Sequence, residues 1–305
     1  MAKLKEVKLK ITAVKKTKQI TKAMNMVAAS KLRGCQTRME GFRPYATKFA
    51  GVLGSLSEKA GEEASPLLVP REEVKKVHIV VCTSDRGLCG GFNTNLVEKA
   101  RVFAKEKTGQ GIEVSYTNFG KKGRDWCRKR SMNIVNEYVG IVGAKFDFSI
   151  AMVSGQRLIS AFLEGEYDEV YVVYGKFVST ARQTPIVKQL LPIPPVEKAD
   201  SDSAQSAFDS AQSAEKAYLP EHICEPSPAE LLNEMLPKNV YVQLYNALLE
   251  TSTSEHAARM AAMNNATKAC NDMIGSLTLA YNKARQSTIT AELMDIVGGA
   301  EALKG

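Results

Sequence analysis

The sequence contains no long hydrophobic run. Nowhere do about 18 apolar residues follow one another, as a membrane-spanning helix requires. Residues 1–10 are rich in lysine and lack the apolar centre of a secretory signal. We therefore expect the chain to stay in the compartment where it is made.

Closely spaced cysteines are also absent. The six cysteines stand at positions 35, 82, 89, 127, 224 and 270, and none belongs to a CxxC pair. Such scattered positions are typical of reduced thiols in a cytosolic protein rather than of a disulfide framework. His222 and Cys224 are near each other but lack two further ligands, so we expect no structural zinc site.

The motifs of nucleotide-binding loops are missing. Residues 84–93, SDRGLCGGFN, lie between a predicted strand and a predicted helix, where glycine-rich loops often bind phosphate. They match neither GxxxxGK[ST] nor GxGxxG. We interpret them as a tight structural turn that presents Arg86 to a partner. His78 lies in an apolar strand and is interpreted as a hydrogen-bonded core residue. No nucleophile, base and orienting group can be assembled elsewhere, so the sequence predicts a protein without a catalytic site or cofactor.

Positive charge is concentrated at the N-terminus. The whole chain carries a formal charge of +8. Residues 1–48 hold thirteen Lys and Arg against Glu6 and Glu40, while the remaining residues are slightly acidic. This basic segment suits a solvated coiled-coil exterior, a nucleic-acid-binding arm or a surface for an acidic protein. Residues 1–41 contain no aromatic side chain, which weakens the nucleic-acid interpretation.

Apolar residues at spacings of three and four predict a long helix at each end of the chain. In the N-terminal helix they are Leu4, Val7, Ile11, Val14, Met24, Ala28, Leu32, Cys35, Met39 and Phe42. In the C-terminal helix they are Ala266, Cys270, Ile274, Leu277, Tyr281, Ala284, Thr288 and Ala291. We expect the two helices to pair antiparallel as a coiled-coil rod. Pro237 is expected to break or kink the second helix.

Short β-branched runs alternate with helical ones between the two long helices. Strands are predicted at residues 77–83, 112–118, 134–139, 170–177 and 186–190, and helices at 94–107 and 148–163. This alternation predicts a Rossmann-like α/β domain with a mostly parallel sheet. The predicted segments are an N-terminal helix at 1–58, the α/β domain at 75–195, a low-complexity insertion and linker at 196–226, and a C-terminal helix at 227–305.

Two functional classes remain open on the residues alone besides a shaft that works within an assembly. One is a free-standing nucleotide-binding α/β protein whose helices form a dimerisation arm. The other is a nucleic-acid-binding coiled coil, which predicts an affinity that falls steeply with salt. The apolar residues near the C-terminus favour neither of these two classes. They would expose apolar surface around a helix tip unless a partner encloses it. These residues are Leu293, Met294, Ile296, Val297 and Leu303.

Four segments resemble the gamma subunit family of F-type ATP synthases. They are ITKAMNMVAASKLR at 20–33, SDRGLCGG at 84–91, SEHAARMAAMNNAT at 254–267 and YNKARQSTITAELMDIVGGA at 281–300. The resemblance implies a non-catalytic central stalk that couples ion transport to ATP synthesis. One gamma subunit would stand inside a ring of three alpha and three beta subunits, with the α/β domain as the foot on the membrane c-ring. The epsilon subunit would be a further partner.

The resemblance also implies particular contact residues. For the alpha and beta ring these are Lys22, Met24, Arg86, Arg285, Gln286, Thr290 and Glu292. For the rotor foot they are Tyr218, His222 and Glu225, where the likeness is looser, and the DSAQSA repeat at 202–207 and 209–214 is specific to this chain. The closely spaced cysteine pair of the chloroplast version has no counterpart, and no transit peptide is present. Both observations favour a bacterial enzyme on the cytoplasmic side of the cell membrane.

Overall fold

The computed structural model describes residues 2–60, 65–194 and 227–302. These residues form two compact units. The two-helix unit contains the residues up to Arg33, Leu88–Gly90 and the residues from His256 onward; the sheet unit contains Gly34–Gly87 and Gly91–Glu255. The elements are α1 (Ala2–Ala60), β1 (Lys76–Cys82), α2 (Phe92–Gly109), β2 (Glu113–Phe119), α3 (Lys121–Arg128), β3 (Ile134–Tyr138), α4 (Phe148–Leu163), β4 (Glu169–Phe177), β5 (Gln183–Leu191) and α5 (Pro228–Ala302).

The sheet unit is built on five strands in the order β3-β2-β1-β4-β5. The first four strands are parallel, and β5 pairs antiparallel with β4 at the edge. β1 is buried at every position after Lys76, as expected for a parallel strand that is covered on both faces. The predicted combination of a mostly parallel α/β sheet with two long terminal helices is therefore confirmed.

Parts of both long helices complete the core of the sheet unit. Leu53 and Leu56 of α1 and Leu232, Leu236 and Leu248 of α5 are almost fully buried in one cluster with the sheet residues. Ser227 begins α5 as expected, since its hydroxyl accepts a hydrogen bond from the Glu230 amide at 3.3 Å.

Three local features differ from the sequence predictions. The eight-residue helix α3 was not predicted, because its charged sequence with an internal Gly123 has almost no apolar face. β5 begins at Gln183 rather than at residue 186. The predicted break at Pro237 is wrong, since α5 is one helix of 75 residues that contains this proline. α1 contains Pro44 in the same way.

In the two-helix unit, α1 and α5 run antiparallel. The Thr21 and Thr267 hydroxyls lie 2.8 Å apart, and the Asn25 amide donates to the Met260 carbonyl at 3.1 Å. The predicted seam residues from Leu4 to Leu32 and from Ala266 to Thr288 are the half-buried or buried ones. Ala291 is an exception: it is exposed, because every residue from Ile289 to Ala300 lies beyond the part of α5 that α1 covers.

Candidate functional site

The loop after β1 is held by its own side chains. The Ser84 amide donates to the Asn93 side-chain oxygen at 2.9 Å, and the Ser84 hydroxyl donates to the Arg86 carbonyl at 2.6 Å. The Asp85 carboxylate accepts the amides of Lys121 at 2.9 Å and Gly140 at 3.1 Å. These groups form the tight turn that we predicted, and the Arg86 side chain is exposed on it.

The tip of this loop, Leu88–Gly90, belongs to the two-helix unit. Leu88 and Gly90 have φ angles of 64° and 60°, so the backbone reverses sharply there. Cys89 is buried, and a β-carbon placed on Gly90 would lie 3.9 Å from that of Ala262 in α5. The glycines of this loop therefore allow a close turn against a helix.

The crevice where doubly wound sheets bind ligands is filled by α5. In such sheets the ligand lies beyond the carboxyl ends of the strands where the strand order reverses, which is here between β1 and β4. Gly175 lies two residues after Val173, the last residue of β4 that pairs with β1. Its amide donates to the Thr251 hydroxyl at 3.4 Å, and its carbonyl accepts from the Ser254 hydroxyl at 2.9 Å.

The fit around Gly175 leaves little space. A β-carbon on this residue would lie 2.8 Å from the ring of Phe92, the first residue of α2, and 3.5 Å from the β-carbon of Ser254. Residues 251–254, the sequence TSTS, are all fully buried. The backbone groups of Gly175 are thus already bonded to α5, and little space is left beside this residue for a nucleotide.

His78 is a core residue, as predicted. Its ring nitrogens lie 2.7 Å from the Ser115 hydroxyl and 2.8 Å from the Thr117 hydroxyl, and its ring stacks on Tyr167. Burial lowers the pKa of His78 to about 3, so the ring is neutral at physiological pH. Among the described residues, no group of three or more His, Cys, Asp or Glu side chains could hold a metal ion.

The N-terminal candidate contact residues lie on α1 in the two-helix unit. Lys22 is exposed, and Met24 is a half-buried residue of the seam. Lys22 lines an open groove of about 420 Å³ with Lys18, Met26 and the polar residues Asn25, Asn264, Thr267 and Asn271. The groove combines two cations, carboxamides and a hydroxyl with the apolar side chain of Met26.

The C-terminal candidates are all exposed on α5: Arg285, Gln286, Thr290 and Glu292. The Thr290 hydroxyl donates to the Gln286 carbonyl at 2.9 Å. Arg285 and Glu292 are seven residues apart and therefore share one face of the helix. The foot candidates Tyr218, His222 and Glu225, and the repeat at 202–214, lie outside the described residues.

The end of α5 exposes the apolar surface that the sequence predicts. Met294 and Ile296 are 65% and 69% exposed, and Ile289, Leu293 and Val297 are exposed as well. At 3.6 residues per turn, these side chains span about 160° of the helix circumference, and together they form a broad apolar face that is uncovered. Leu303 lies outside the described residues. An uncovered apolar surface of this kind is typical of a site where a partner binds.

Two features were missed at the level of sequence. The hydroxyl run at 251–254 carries no helical periodicity, so its burial could not be predicted, although four consecutive small hydroxyl residues inside a helix were a visible signal. The basic run KKGRDWCRKR at 121–130 was equally visible but lay between predicted elements.

A doubly wound sheet with a filled crevice and a pair of long helices with an exposed apolar end are features of a subunit that works inside a larger assembly. No helix within residues 2–60, 65–194 and 227–302 is long and apolar enough to cross a membrane. A family model described as ATP synthase matches residues 3–303.

Curated relatives extend this match over the whole chain. The chain is 66% identical to the ATP synthase gamma chain of Desulfosudis oleivorans, with all of both sequences covered. It is 63% identical to that of Desulforapulum autotrophicum over 99% of this chain and 100% of the relative. The chain therefore belongs to the ATP synthase gamma chain family, as the four sequence segments indicated, and it is a non-catalytic stalk subunit.

Solved structures agree with this assignment. The central stalk and c-ring structure of the Tetrahymena thermophila mitochondrial ATP synthase contains a chain that is 26% identical, with a TM-score of 0.56 over 81% of this chain and 99% of that chain. A chain in the OSCP/F1/c-ring structure of the Euglena gracilis mitochondrial ATP synthase has a TM-score of 0.66 over 99% of this chain and 95% of that chain. Its 18% identity supports the fold alone.

Proposed function

We propose that this chain is the central rotor shaft of a bacterial ATP synthase, which couples ion flow through the membrane c-ring to conformational change at catalytic sites on the beta subunits. Its partners are the alpha, beta and epsilon subunits and the c-ring. Its place is peripheral, on the cytoplasmic side of the cell membrane. The two-helix unit supplies the shaft, and the sheet unit, which contains the predicted α/β segment 75–195, supplies the foot.

The apolar end of α5 carries this proposal. Exposed side chains such as Met294 and Ile296 would cost free energy in water, roughly 25 cal/mol for each Å² of apolar surface left uncovered. A ring of subunits that encloses this end removes the cost without a fixed set of hydrogen bonds. The enclosed end can therefore turn while it stays in contact.

The charged residues supply the coupling. A rod can shift the conformation of its neighbours only if its contacts differ among their states. A shift from mostly one state to mostly the other requires about 5.5 kcal/mol of differential contact energy. We assign this role to two sets: the exposed Lys22 with its half-buried neighbour Met24, and the exposed face of α5 from Arg285 to Glu292. Arg86 adds a contact from the loop after β1.

Reconstitution tests the proposal. The purified chain is mixed with the alpha and beta subunits of a bacterial ATP synthase in the presence of ATP and Mg²⁺, and the mixture is analysed by gel filtration and an ATP hydrolysis assay. We expect one copy to elute with three of each partner, and sustained hydrolysis to require that complex. A chain that elutes alone and binds or hydrolyses nucleotide unaided would show that the proposed function is wrong.

A further inference from the structure

Helix α3 and the residues after it carry an excess of positive charge that the shaft function does not explain. Residues 121–130 contain six Lys and Arg side chains and a single carboxylate, Asp125. The run lies on the surface of the sheet unit, where Lys121, Lys122, Arg128, Lys129 and Arg130 are exposed.

Only part of this charge is neutralised locally. Arg124 pairs with Asp125 at 2.9 Å, and Arg128 pairs with Glu137 of β3 at 2.8 Å. Arg130 lies over the ring of Trp126, 4.6 Å from its centre. Lys121, Lys122 and Lys129 make no ion pair with any side chain in the described part of the chain.

Lys121 and Lys122 destabilise α3 by their position in its first turn. The N-terminus of a helix carries partial positive charge, so cations in the first turn are unfavourable by roughly 0.3–1 kcal/mol each. Lys121 and Lys122 occupy this turn, which contains no acidic residue, and the N-cap Gly120 supplies no capping side chain. Residues that make a helix less stable without a compensating gain in folding are expected at surfaces that serve a function.

The same surface continues into the loop after β1. The Asp85 carboxylate binds the Lys121 amide, and a β-carbon on Gly87 would lie 3.9 Å from the Lys122 side chain. Arg86 lies between Asp85 and Gly87 in the chain and is exposed, so it extends the positive surface of α3. We define the basic face as Arg86, Lys121, Lys122, Lys129 and Arg130.

We propose that the basic face docks an acidic polypeptide surface of the alpha and beta ring, the partner to which Arg86 is already assigned. Carboxylates are the groups that this region already binds, since both Arg124 and Arg128 engage Glu137. The run 121–130 contains no exposed large apolar side chain that could insert into a bilayer. Its one aromatic ring is covered by Arg130, so no stacking platform for nucleic-acid bases is available on this helix.

This inference rests on the proposed function, because it requires a partner subunit. Electrostatic docking at such a surface mainly raises the association rate and makes binding sensitive to salt. We expect this docking to fix the orientation of the sheet unit, and we expect it to have no part in enclosing the shaft.

Charge reversal tests the basic face. The full chain with Lys122→Glu and Lys129→Glu is compared with a matched control, Lys105→Glu and Lys145→Glu, which changes the net charge equally at exposed sites. Binding to the alpha and beta ring is measured between low and physiological salt. We expect the basic-face variant to bind five- to tenfold more weakly at low salt and to lose most of its salt dependence, while the control stays within about twofold of the wild type.

Further variants and probes separate the outcomes. The neutral pair Lys122→Gln and Lys129→Gln, which is milder for folding, should show a loss in the same direction. Equal binding by the basic-face and control variants would refute the docking surface. A second outcome would also refute it: the wild type binds vesicles of anionic lipid, and the basic-face variant alone loses this binding while its binding to the ring is unchanged. Failure of the wild type itself to bind the ring would instead contradict the proposed function.

Discussion

Gly120 joins β2 to α3 in a conformation that other residues rarely adopt. Its φ angle is 101°, and an added β-carbon would lie within 2.1 Å of the Thr83 carbonyl oxygen. Gly120→Ala should therefore lower the free energy of unfolding by about 3 kcal/mol or more, measured by urea titration. Gly51→Ala is the control: Gly51 lies in α1 with no atom near the added β-carbon, and alanine there should stabilise the chain by about 0.5–1 kcal/mol. Equal effects of the two substitutions would contradict this account.

His78 makes the stability of the fold depend on pH. Its folded pKa of about 3 lies below the usual value of 6.5, because burial disfavours the charged ring. Below pH 6.5 the unfolded chain binds a proton that the folded chain does not, so the contribution of this residue is lost progressively as the pH falls toward 3.

Replacing the histidine should remove that dependence. Between pH 7 and pH 5 the wild type should lose about 2 kcal/mol of unfolding free energy more than the variant His78→Gln, whose amide can still bond the Ser115 and Thr117 hydroxyls. Urea titrations at both pH values measure the difference. Parallel pH profiles for the two proteins would mean that the ring is not held neutral.

Pro237 shows how tertiary packing overrides a local preference. The residue lies inside α5, where it cannot donate to the carbonyl of Asn233, yet the helix continues through it because Leu236 and Val240 on either side are fully buried in the core.

Removing the proline should therefore stabilise the helix. Pro237→Ala is expected to raise the free energy of unfolding by about 1–3 kcal/mol, because it restores the missing hydrogen bond. The control Pro185→Ala lies in the edge strand β5 and should change stability by less than about 1 kcal/mol. An unfolding midpoint that falls in Pro237→Ala would contradict the explanation.

The elements that the sequence predicted best are those with a strong period or a fully apolar run. The strand at β1 and the helix at α4 were predicted to within a residue at each end, because their side chains are selected by burial. α3 could not be predicted in this way, since only Gly123 and Cys127 of its eight residues are buried. The antiparallel direction of β5 depends on the short turn at residues 178–182, which contains neither Gly nor Pro as a signal.

At the scale of the whole molecule, the candidate contacts are exposed surfaces whose roles appear only with partners. The seam between the long helices could be predicted from residue spacing alone. The roles of Lys22, Met24, Arg86, Arg285, Gln286, Thr290 and Glu292 could not, because nothing within a single chain selects them. They entered through resemblance to a family and stay predictions.

The double substitution Arg285→Ala and Glu292→Ala tests the coupling contact on α5. Both side chains are exposed, so folding should be unaffected, while ion-driven ATP synthesis by the reconstituted complex should fall about tenfold or more relative to ATP hydrolysis. Lys268→Ala with Asp272→Ala removes one exposed cation and one exposed carboxylate from the same helix and serves as the control. Unchanged ion-driven synthesis in the first variant would show that this face does not couple rotation to catalysis.

The hydrogen bonds between Gly175 and residues Thr251 and Ser254 also bear on inhibitor discovery. A compound that imitates a nucleotide can enter the crevice beyond β1 only by displacing both hydroxyls, and with them part of a helix of 75 residues. Chemical libraries designed for Rossmann-like enzymes are therefore poorly matched to this subunit. Molecules that interfere with it must instead compete for the surfaces that it shares with its neighbours.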